Sequence, residues 1–172
     1  MKKFIIPLFI LFSINGFSQA AAKFGYVDTD YILDQIPEYK AAQSELDKTS
    51  IQWQKEIEGR FGEIDKLYKA YQADAILLTD DMKKKRENEI LNKEKEAKDL
   101  QKQKFGVDGE LFKKRQELVK PLQDKVYNAI KVVAEKKGIG FILDKSGQVS
   151  ILYANHKYDI SDDVLIHLGY KK

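Results

Sequence analysis

The residue types that most often carry out chemistry are sparse in this sequence, and those present are not grouped. The chain contains no cysteine, which removes a thiol nucleophile, a thiolate metal site and a disulfide framework. His156 and His167 are its only histidines, and they fall in different predicted elements without a cluster of further ligands. Because a metal or catalytic site needs converging groups, both histidines are better explained as structural residues.

Two other patterns resemble sites without supplying their chemistry. Asp80 and Asp81 are adjacent carboxylates at a predicted helix start, where acidic side chains interact well with the positive end of the helix dipole. Gly138-Ile139-Gly140 is too sparse for a phosphate-binding loop, and no helix follows it. We therefore expect no catalytic residue, no metal site and no cofactor, and we predict that the protein is not an enzyme.

The first twenty residues have the pattern of a secretory signal peptide. Lys2 and Lys3 precede a short apolar run from Phe4 to Ile14, and Ser18-Gln19-Ala20 offers a small-residue cleavage site, with Ala20–Ala22 as an alternative. A run of about eleven residues is shorter than the twenty or so that span a bilayer. The pattern predicts an exported chain with residues 1–20 removed.

Charge separates the two halves of the middle of the chain. Loss of Lys2 and Lys3 lowers a basic count of 30 by two, against 27 acids, so the mature chain is close to neutral. Residues 39–81 nevertheless carry 6 basic and 9 acidic side chains, and residues 83–137 carry 17 basic and 10 acidic ones. Opposite charge favours pairing of these segments as an antiparallel hairpin.

Apolar periodicity in the first segment predicts a coiled-coil arm over residues 38–78. The seam follows steps of three and four, with one extra step of four near Phe61. Its members are Leu46, Trp53, Ile57, Phe61, Ile64, Tyr68, Tyr71, Ala75 and Leu78, with Ser50 filling the polar step between Leu46 and Trp53. Gly59 and Gly62 flank the extra step and predict a bend there. Pro37 separates this arm from a short helix near Tyr31 that Thr29 or Asp30 would cap.

The second segment predicts the returning arm. Thr79 is a plausible N-cap after a turn near residues 78–82. The half beyond Phe105 has a good seam, whereas the half nearer the turn offers only Ile90, Ala97 and Leu100. Gly106, Gly109 and Pro121 predict kinks in this arm. The hairpin is expected to occupy residues 38–137.

The two ends of the mature chain predict a small β body, residues 21–37 and 138–172. Residues 23–28, Ile139–Asp144 and Val149–Tyr153 have strand character, and Ser161 would cap a last helix from Asp162 to Leu168. Three strands leave edges and an apolar face uncovered, which indicates an oligomer sealed through this body. The residues expected to seal it are Phe24, Tyr26, Phe141, Leu143, Ile151 and Tyr153.

This layout resembles the Skp/OmpH family of periplasmic chaperones. The resemblance rests on Phe24–Asp28 directly after the signal, on Gly140–Asp144 and Val149–Tyr153, and most specifically on the ending Asp159-Ile160-Ser161-Asp162-Asp163-Val164-Leu165. It implies a mainly α fold with a small trimeric, barrel-like β body from which helical hairpins project as tentacles around a cavity. It further implies an ATP-independent periplasmic holdase, a homotrimer that binds unfolded outer-membrane β-barrel proteins.

Several side chains of the hairpin are candidates for contact with such clients. Apolar residues off the seam could offer weak, sequence-tolerant contacts, and the basic run after the turn could attract a client or a membrane surface. The candidates are Ile51, Leu67, Ile76, Leu77, Met82, Lys83, Lys84, Lys85 and Arg86. The alternatives are a wide, packed helical stripe for the apolar group, and a solvated surface paired with Glu87 and Glu89 for the basic one.

Two other functions compete with the holdase. The hairpin could be a structural spacer or adaptor of the cell envelope that binds one folded partner. The basic second arm could also indicate nucleic-acid binding, but export and the acidic first arm argue against it, and no nucleic-acid partner is expected.

Overall fold

The computed structural model describes residues 22–147 and 151–171, and over these ranges the chain is mainly helical with a small sheet. The predicted signal peptide, residues 1–20, lies outside the described residues. A long helical hairpin attached to a small β-containing body confirms the predicted fold class.

The elements follow one another with short connections. Strand β1 and the short helix α1 precede the long helix α2, and the return runs through α3 and α4 to strand β2 and the last helix, α5. Their bounds are β1 Lys23–Val27, α1 Thr29–Asp34, α2 Pro37–Asp74, α3 Asp80–Phe105, α4 Glu110–Lys137, β2 Ile139–Asp144 and α5 Ser161–Leu168, with a single 3₁₀ turn at His156–Tyr158.

Helix α2 forms the first arm, and α3 with α4 forms the second, antiparallel to it. Contacts at three positions along the arms show this direction, because residue numbers in the first arm rise while those of their partners in the second arm fall. Glu45 pairs with Lys114 at 2.7 Å, the rings of Trp53 and Phe105 lie 6.3 Å apart, and the hydroxyl of Tyr71 donates to Glu87 at 2.5 Å. The 38 residues of α2 give the arm a length of about 57 Å.

The predicted seam is right at its ends and wrong near the extra step. Ile64 is buried in a cluster with Ile90 and Ala97, and Leu67 and Tyr71 pack against it. Tyr68, predicted in the seam, is 49% exposed, and Phe61 is 37% exposed. Leu67 takes the place of Tyr68 because the inward positions Ile57, Ile64 and Tyr71 keep a regular seven-residue spacing. The predicted extra step is therefore wrong, and Phe61 lies outside the seam.

The glycines at the middle of the returning arm divide it into two helices. A Cβ on Gly106 would lie 2.4 Å from the carbonyl oxygen of Lys102, and one on Gly109 would lie 2.8 Å from the amide nitrogen of Gly106. Only glycine fits this close approach of backbone to backbone. Pro121, by contrast, lies inside α4 without ending it, and Gly59 lies inside an uninterrupted α2.

The sheet differs from the prediction. Among the described residues it has two strands, β1 and β2, which run parallel with Phe24 opposite Phe141 and Tyr26 opposite Leu143. The predicted third strand is wrong for residues 151–153, which form no ladder, while 148–150 lie outside the described residues. The free edge of β1 is instead met by Asp159, and the amide of Ile160 donates to the carbonyl of Tyr26 at 3.0 Å.

One apolar cluster joins the body to the root of the second arm. Its buried members come from β1, α1, α4 and α5 and from the residues that directly precede α2 and α5. They are Val27, Ile32, Leu33, Ile36, Val126, Ala129, Val133, Ile160, Val164 and Leu165. The last turns of α4, predicted as arm seam, are therefore part of the body core. The second arm cannot swing freely at its root without breaking this cluster.

The helix caps of the body differ from the predicted ones. Asp28, not Thr29 or Asp30, caps α1, and its carboxylate accepts from the amide of Tyr31 at 3.0 Å. Ser161 is the first residue of α5 and not its cap. Its hydroxyl accepts from the amide of Asp28 at 2.9 Å and donates to Asp159 at 2.6 Å, so the serine links the two ends of the chain.

We expect Gly109→Ala and Gly59→Ala to change stability in opposite directions. The new Cβ at 109 would lie 2.8 Å from the amide nitrogen of Gly106, which forces the backbone to shift and should lower the free energy of unfolding by about 1–3 kcal/mol. The Cβ at position 59 would meet nothing within 4 Å. Because alanine is a better helix former than glycine, Gly59→Ala should raise the free energy of unfolding by about 0.5–1 kcal/mol. Urea unfolding followed by circular dichroism measures both. Equal effects of the two substitutions would contradict the steric requirement at Gly109.

Candidate functional site: the sheet face and the arm surface

An apolar face of the two-stranded sheet is exposed on the body. The rings of Phe24 and Phe141 stack with centroids 5.5 Å apart and planes 16° from parallel. They are 57% and 61% exposed, and Leu143 beside them is 45% exposed. Three neighbouring large apolar side chains on so small a sheet form a surface that is typical of an interface.

The remaining residues expected to seal the body do not add exposed surface to this face. Tyr26 lies opposite Leu143 and so on the same side of the sheet. Tyr26 is buried, and its burial together with the nearby Asp159 carboxylate raises the pKa of its phenol. Ile151 is half-buried, while Tyr153 is 82% exposed outside any strand. The structure therefore brings together the exposed Phe24, Phe141 and Leu143 with the buried Tyr26 beside them, and Ile151 and Tyr153 lie outside the sheet.

Asp144 fixes the end of β2 and so orients this face. Its carboxylate accepts from the amide and hydroxyl of Thr29 at 3.2 and 2.6 Å, and from the amide and hydroxyl of Ser146 at 3.0 and 2.8 Å. Burial opposes ionisation of Asp144, but these hydrogen bonds outweigh it and hold the pKa of the carboxyl below its usual value. The charged carboxylate thus ties β2 to the start of α1.

The candidate client residues of the arm fall into two groups. Ile51, Ile76, Leu77 and Met82 are exposed apolar side chains, at 54%, 94%, 84% and 51%. Leu67 is half-buried against the cluster of Ile64, Ile90 and Ala97. Most of its side chain therefore packs within the arm and is not available to a client.

The basic run after the turn is only partly paired. Arg86 forms an ion pair with Glu89 at 3.6 Å, as expected if the basic run is a solvated helix surface. Glu87, the other expected partner, accepts a hydrogen bond from the hydroxyl of Tyr71 instead. Within the described residues, Lys83, Lys84 and Lys85 have no carboxylate within 4 Å. Of the ion pairs in the same ranges, Lys114 with Glu45 is the one that joins the two arms. The opposite charges of the arms therefore contribute little direct pairing, and the excess basic charge of the second arm faces solvent.

A groove at mid-arm was not predicted from the sequence. Phe61 and Phe105 are 37% and 38% exposed and line a groove of about 350 Å³ together with Ile57, Gln54, Glu58 and Gln101. The available signal was that Phe61 fits the seam only if an extra step of four is assumed. An aromatic residue that needs such a step is a candidate surface residue as well as a core residue.

Beside this groove, Trp53 and Lys104 bridge the break in the second arm. The ammonium of Lys104 lies 4.5 Å from the centre of the Trp53 ring and also pairs with Glu110, across the break. Gln103 donates to the same carboxylate at 2.7 Å. The hydrogen bond from Lys104 is the main reason that the pKa of Glu110 is lowered. These contacts hold the two helices of the second arm in line.

Residues 22–147 and 151–171 include no group of three or more His, Asp or Glu side chains placed to hold a metal ion. A search of the same ranges finds no helix long and apolar enough to cross a membrane. The features that stand out are surfaces, namely the sheet face, the mid-arm groove and the exposed end of the arm.

Comparison with known proteins agrees with this arrangement. Residues 23–168 match a family model described as outer membrane protein (OmpH-like). The chain belongs to the OmpH-like family. This match covers the body and both arms of the OmpH-like protein, and it confirms the resemblance seen in the sequence.

Two similar proteins extend the comparison. An uncharacterised protein of Aquifex aeolicus is 31% identical over 168 residues, which cover 98% of this chain and 96% of the relative. A crystal structure described as that of a candidate OmpH-like outer membrane chaperone of Caulobacter crescentus has a TM-score of 0.66 at 17% identity, covering 87% of this chain and 85% of that one. The structural likeness shows a shared fold, and with the family match it supports a chaperone family.

Stability of the body should depend on pH through Asp144. Since the folded-state pKa of this carboxyl lies below its unfolded value, its contribution is complete above the unfolded pKa and is lost as the pH falls through the folded one. We expect Asp144→Asn to lower the free energy of unfolding by about 1–2 kcal/mol at pH 7. The difference in the free energy of unfolding between Asp144→Asn and the wild type should shrink below about pH 4, where the wild-type carboxyl becomes protonated.

Thermal unfolding at pH 7 and pH 3 tests this expectation, with the exposed Asp47→Asn in α2 as the matched control. A loss for Asp144→Asn that is the same size at both pH values would show that the charge of Asp144 is not what stabilises the body.

Proposed function

We propose that the protein is an ATP-independent holdase of the periplasm, a homotrimer that binds unfolded outer-membrane β-barrel proteins between its helical arms. The observation that carries the proposal is the set of large apolar side chains that stay exposed along an arm whose seam is already packed. We further propose residues 1–20 as a cleaved signal peptide, 21–37 and 138–172 as the assembly body, and 38–137 as the arm.

The exposed sheet face supports self-association. Phe24, Phe141 and Leu143 lie together on one side of a two-stranded sheet, which is too small to be stable in isolation. Copies of the same chain would cover these rings with equivalent rings, and closed symmetry would leave no face uncovered. The buried cluster of the body, which includes the root of α4, would then hold each arm at a defined angle to the assembly.

The arm surface supports weak binding to many sequences. Ile51, Phe61 and Phe105 present apolar surface at mid-arm, and Ile76, Leu77 and Met82 continue it to the outer end. Each exposed side chain could contribute up to about 1–2 kcal/mol when a client covers it. The lysines at 83, 84 and 85, which have no ion-pair partner among the described residues, would add attraction for acidic segments of a client. Of the predicted client residues, Leu67 would contribute only its exposed edge.

Such a surface needs no chemical step to release its client. Contacts that are individually weak break and re-form one at a time, so that a client able to fold elsewhere leaves without nucleotide hydrolysis. We therefore propose binding without enzymatic activity and without a cofactor, and we propose no nucleic-acid partner.

Assembly is tested by sedimentation of the mature chain. We expect a mass of three chains for the wild type, and a shift to a mass of one chain for Phe24→Ser combined with Phe141→Ser, because polar side chains remove the apolar face. Phe112→Ser, an exposed ring on the arm, should keep the three-chain mass. A wild-type mass of one, two or four chains would refute the trimer.

Client protection is tested by diluting a urea-denatured outer-membrane β-barrel protein into buffer and following light scattering. Equimolar trimer should suppress aggregation, and Ile51→Ser with Phe61→Ser should weaken suppression several-fold through lost apolar contact. The polar pair Gln52→Ser and Gln72→Ser on the same helix is the control. If the wild type does not slow aggregation but binds one folded envelope protein in fixed ratio, the spacer function is correct.

A further inference from the structure

Residues 169–171 fold back from the end of α5 onto the root of the arm. Gly169 has a left-handed backbone, with a φ of 83°, and ends the helix. Its amide donates to the carbonyl of Ile166 at 3.1 Å, and the amide of Tyr170 donates to the carbonyl of Leu165 at 2.9 Å. These two bonds form a Schellman motif, which reverses the chain and favours glycine at its left-handed position. The reversal places the ring of Tyr170 against the apolar core of the body.

The hydroxyl of Tyr170 joins the two arms where they leave the body. Nζ of Lys125 in α4 donates to the hydroxyl oxygen at 2.9 Å, and the hydroxyl donates to Oε1 of Glu38, in the first turn of α2, at 3.0 Å. The pKa of Lys125 is raised, mainly by this hydrogen bond, and the pKa of Glu38 is lowered by its own backbone amide and then by Tyr170. Both partners are therefore charged at neutral pH, which makes the two bonds stronger than bonds between neutral groups.

The next residue ties the same segment to the body. Nζ of Lys171 pairs with the carboxylate of Asp162, in the first turn of α5, at 2.6 Å, and this carboxylate also accepts from the hydroxyl of Tyr31 in α1 at 3.0 Å. Residues 169–171 thus link α1 and α5 as well as α2 and α4. They follow residue 168, where the match to the OmpH-like family model ends.

The first arm depends on such a link more than the second does. Helix α4 gives the body core three buried residues, whereas no residue of α2 is buried there, and Tyr39 alone of that helix packs against the described part of the core. The first buried residue of α2, Ala42, belongs to a separate cluster with α4. Ile36, between α1 and α2, has a non-helical backbone. A short non-helical connection of this kind is a place where one helix can turn relative to another.

We propose that residues 169–171 form a clasp that sets the angle at which the arm leaves the body, with Tyr170 as its positioning residue. The ring packs on the body core, and the hydroxyl holds Glu38 beside Lys125. Helix α2 cannot turn about Ile36 without breaking both hydrogen bonds. When the clasp opens, the first turn of α2 is released and the arm moves over a wider range of angles. That range limits the size of a client held between arms, and this consequence alone rests on the proposed function.

The angle of the arm is measured by pulsed electron paramagnetic resonance, for which a chain without cysteine is convenient. Asp34→Cys in α1 and Gln52→Cys in α2, both at exposed positions, place spin labels on either side of Ile36. An excess of unlabelled chains keeps the measured pairs within one chain, whatever the assembly. We expect Tyr170→Phe, which removes the hydroxyl and keeps the ring, to broaden the distribution of distances between the labels.

The matched control is Tyr127→Phe, which removes the hydroxyl of an exposed tyrosine in α4, two residues from Lys125. It should leave the distribution as in the labelled wild type. An unchanged width with Tyr170→Phe, or the same broadening with Tyr127→Phe, would overturn the clasp.

Hydrogen exchange separates a positioning role from a general loss of stability. With Tyr170→Phe, the amides of residues 39–44 should exchange about three to ten times faster, because two hydrogen bonds to charged groups no longer oppose local opening. The amides of α1 and those around Ile64 in the outer arm should keep their wild-type rates. If exchange is faster by the same factor throughout the body, Tyr170 is a core residue only and the proposed clasp is wrong.

A double substitution tests whether the ammonium and the phenol act together. Lys125→Met combined with Tyr170→Phe should speed exchange at residues 39–44 little more than Tyr170→Phe alone, since both changes break one network. Fully additive effects would contradict the clasp. None of these measurements includes a client, so a broadened distribution in a protein that protects no β-barrel protein would support the clasp and refute the holdase.

Discussion

Burial of one apolar cluster holds the molecule together and determines where its surfaces face. Residues from the first strand, the first helix, the end of α4 and the last helix pack into a single core, in which Ile32 and Val164 are fully buried. Sequence separation within this core exceeds one hundred residues. The root of the hairpin is therefore held by residues from both ends of the chain, and the direction of the arm depends on this core.

Side-chain hydrogen bonds add to the apolar core in joining the two ends of the chain. The carboxylate of Asp144 joins β2 to α1, and the hydroxyl of Ser161 joins the start of α1 to the start of α5. These hydrogen bonds span the same chain ends as the core does. They orient the sheet so that the Phe24 and Phe141 rings lie outside it. The body is thus closed on one side and apolar on the other, which is the physical basis for proposing that copies assemble through it.

The arm follows a different principle, because its length prevents it from having a single core. Ala42, Leu46 and Val119 form one cluster near the root, and Ile64, Ile90 and Ala97 form another near the outer end. Between them the returning helix is interrupted, and Trp53 with Lys104 and Glu110 bridges the gap. Two helices cannot bury a wide stripe. Large apolar side chains consequently remain exposed along the arm, which suits a surface that binds unfolded chains weakly and at many points.

The sequence by itself determined the helical hairpin, the turn between its arms and the two strands that pair, because these depend on local periodicity, on Thr79 as a cap and on short apolar runs bounded by glycine. It also indicated the family, through the segment Asp159–Leu165, and the exposure of Ile51, Ile76 and Leu77 off the seam.

Tertiary structure decided which neighbour completes each element. Residues 151–153 have strand character but form no ladder, and the edge of β1 that β2 leaves free is met by Asp159 instead. Leu67 is half-buried and Tyr68 is exposed, because the seam keeps a regular seven-residue spacing through Ile57, Ile64 and Tyr71. Leu67 and Tyr68 are both apolar neighbours, so the position of the second arm decides which of them is covered. Val126, Ala129 and Val133 continue the arm seam in sequence but belong to the body core, since helices α1 and α5 pack there and local periodicity does not specify which surface a stripe will meet.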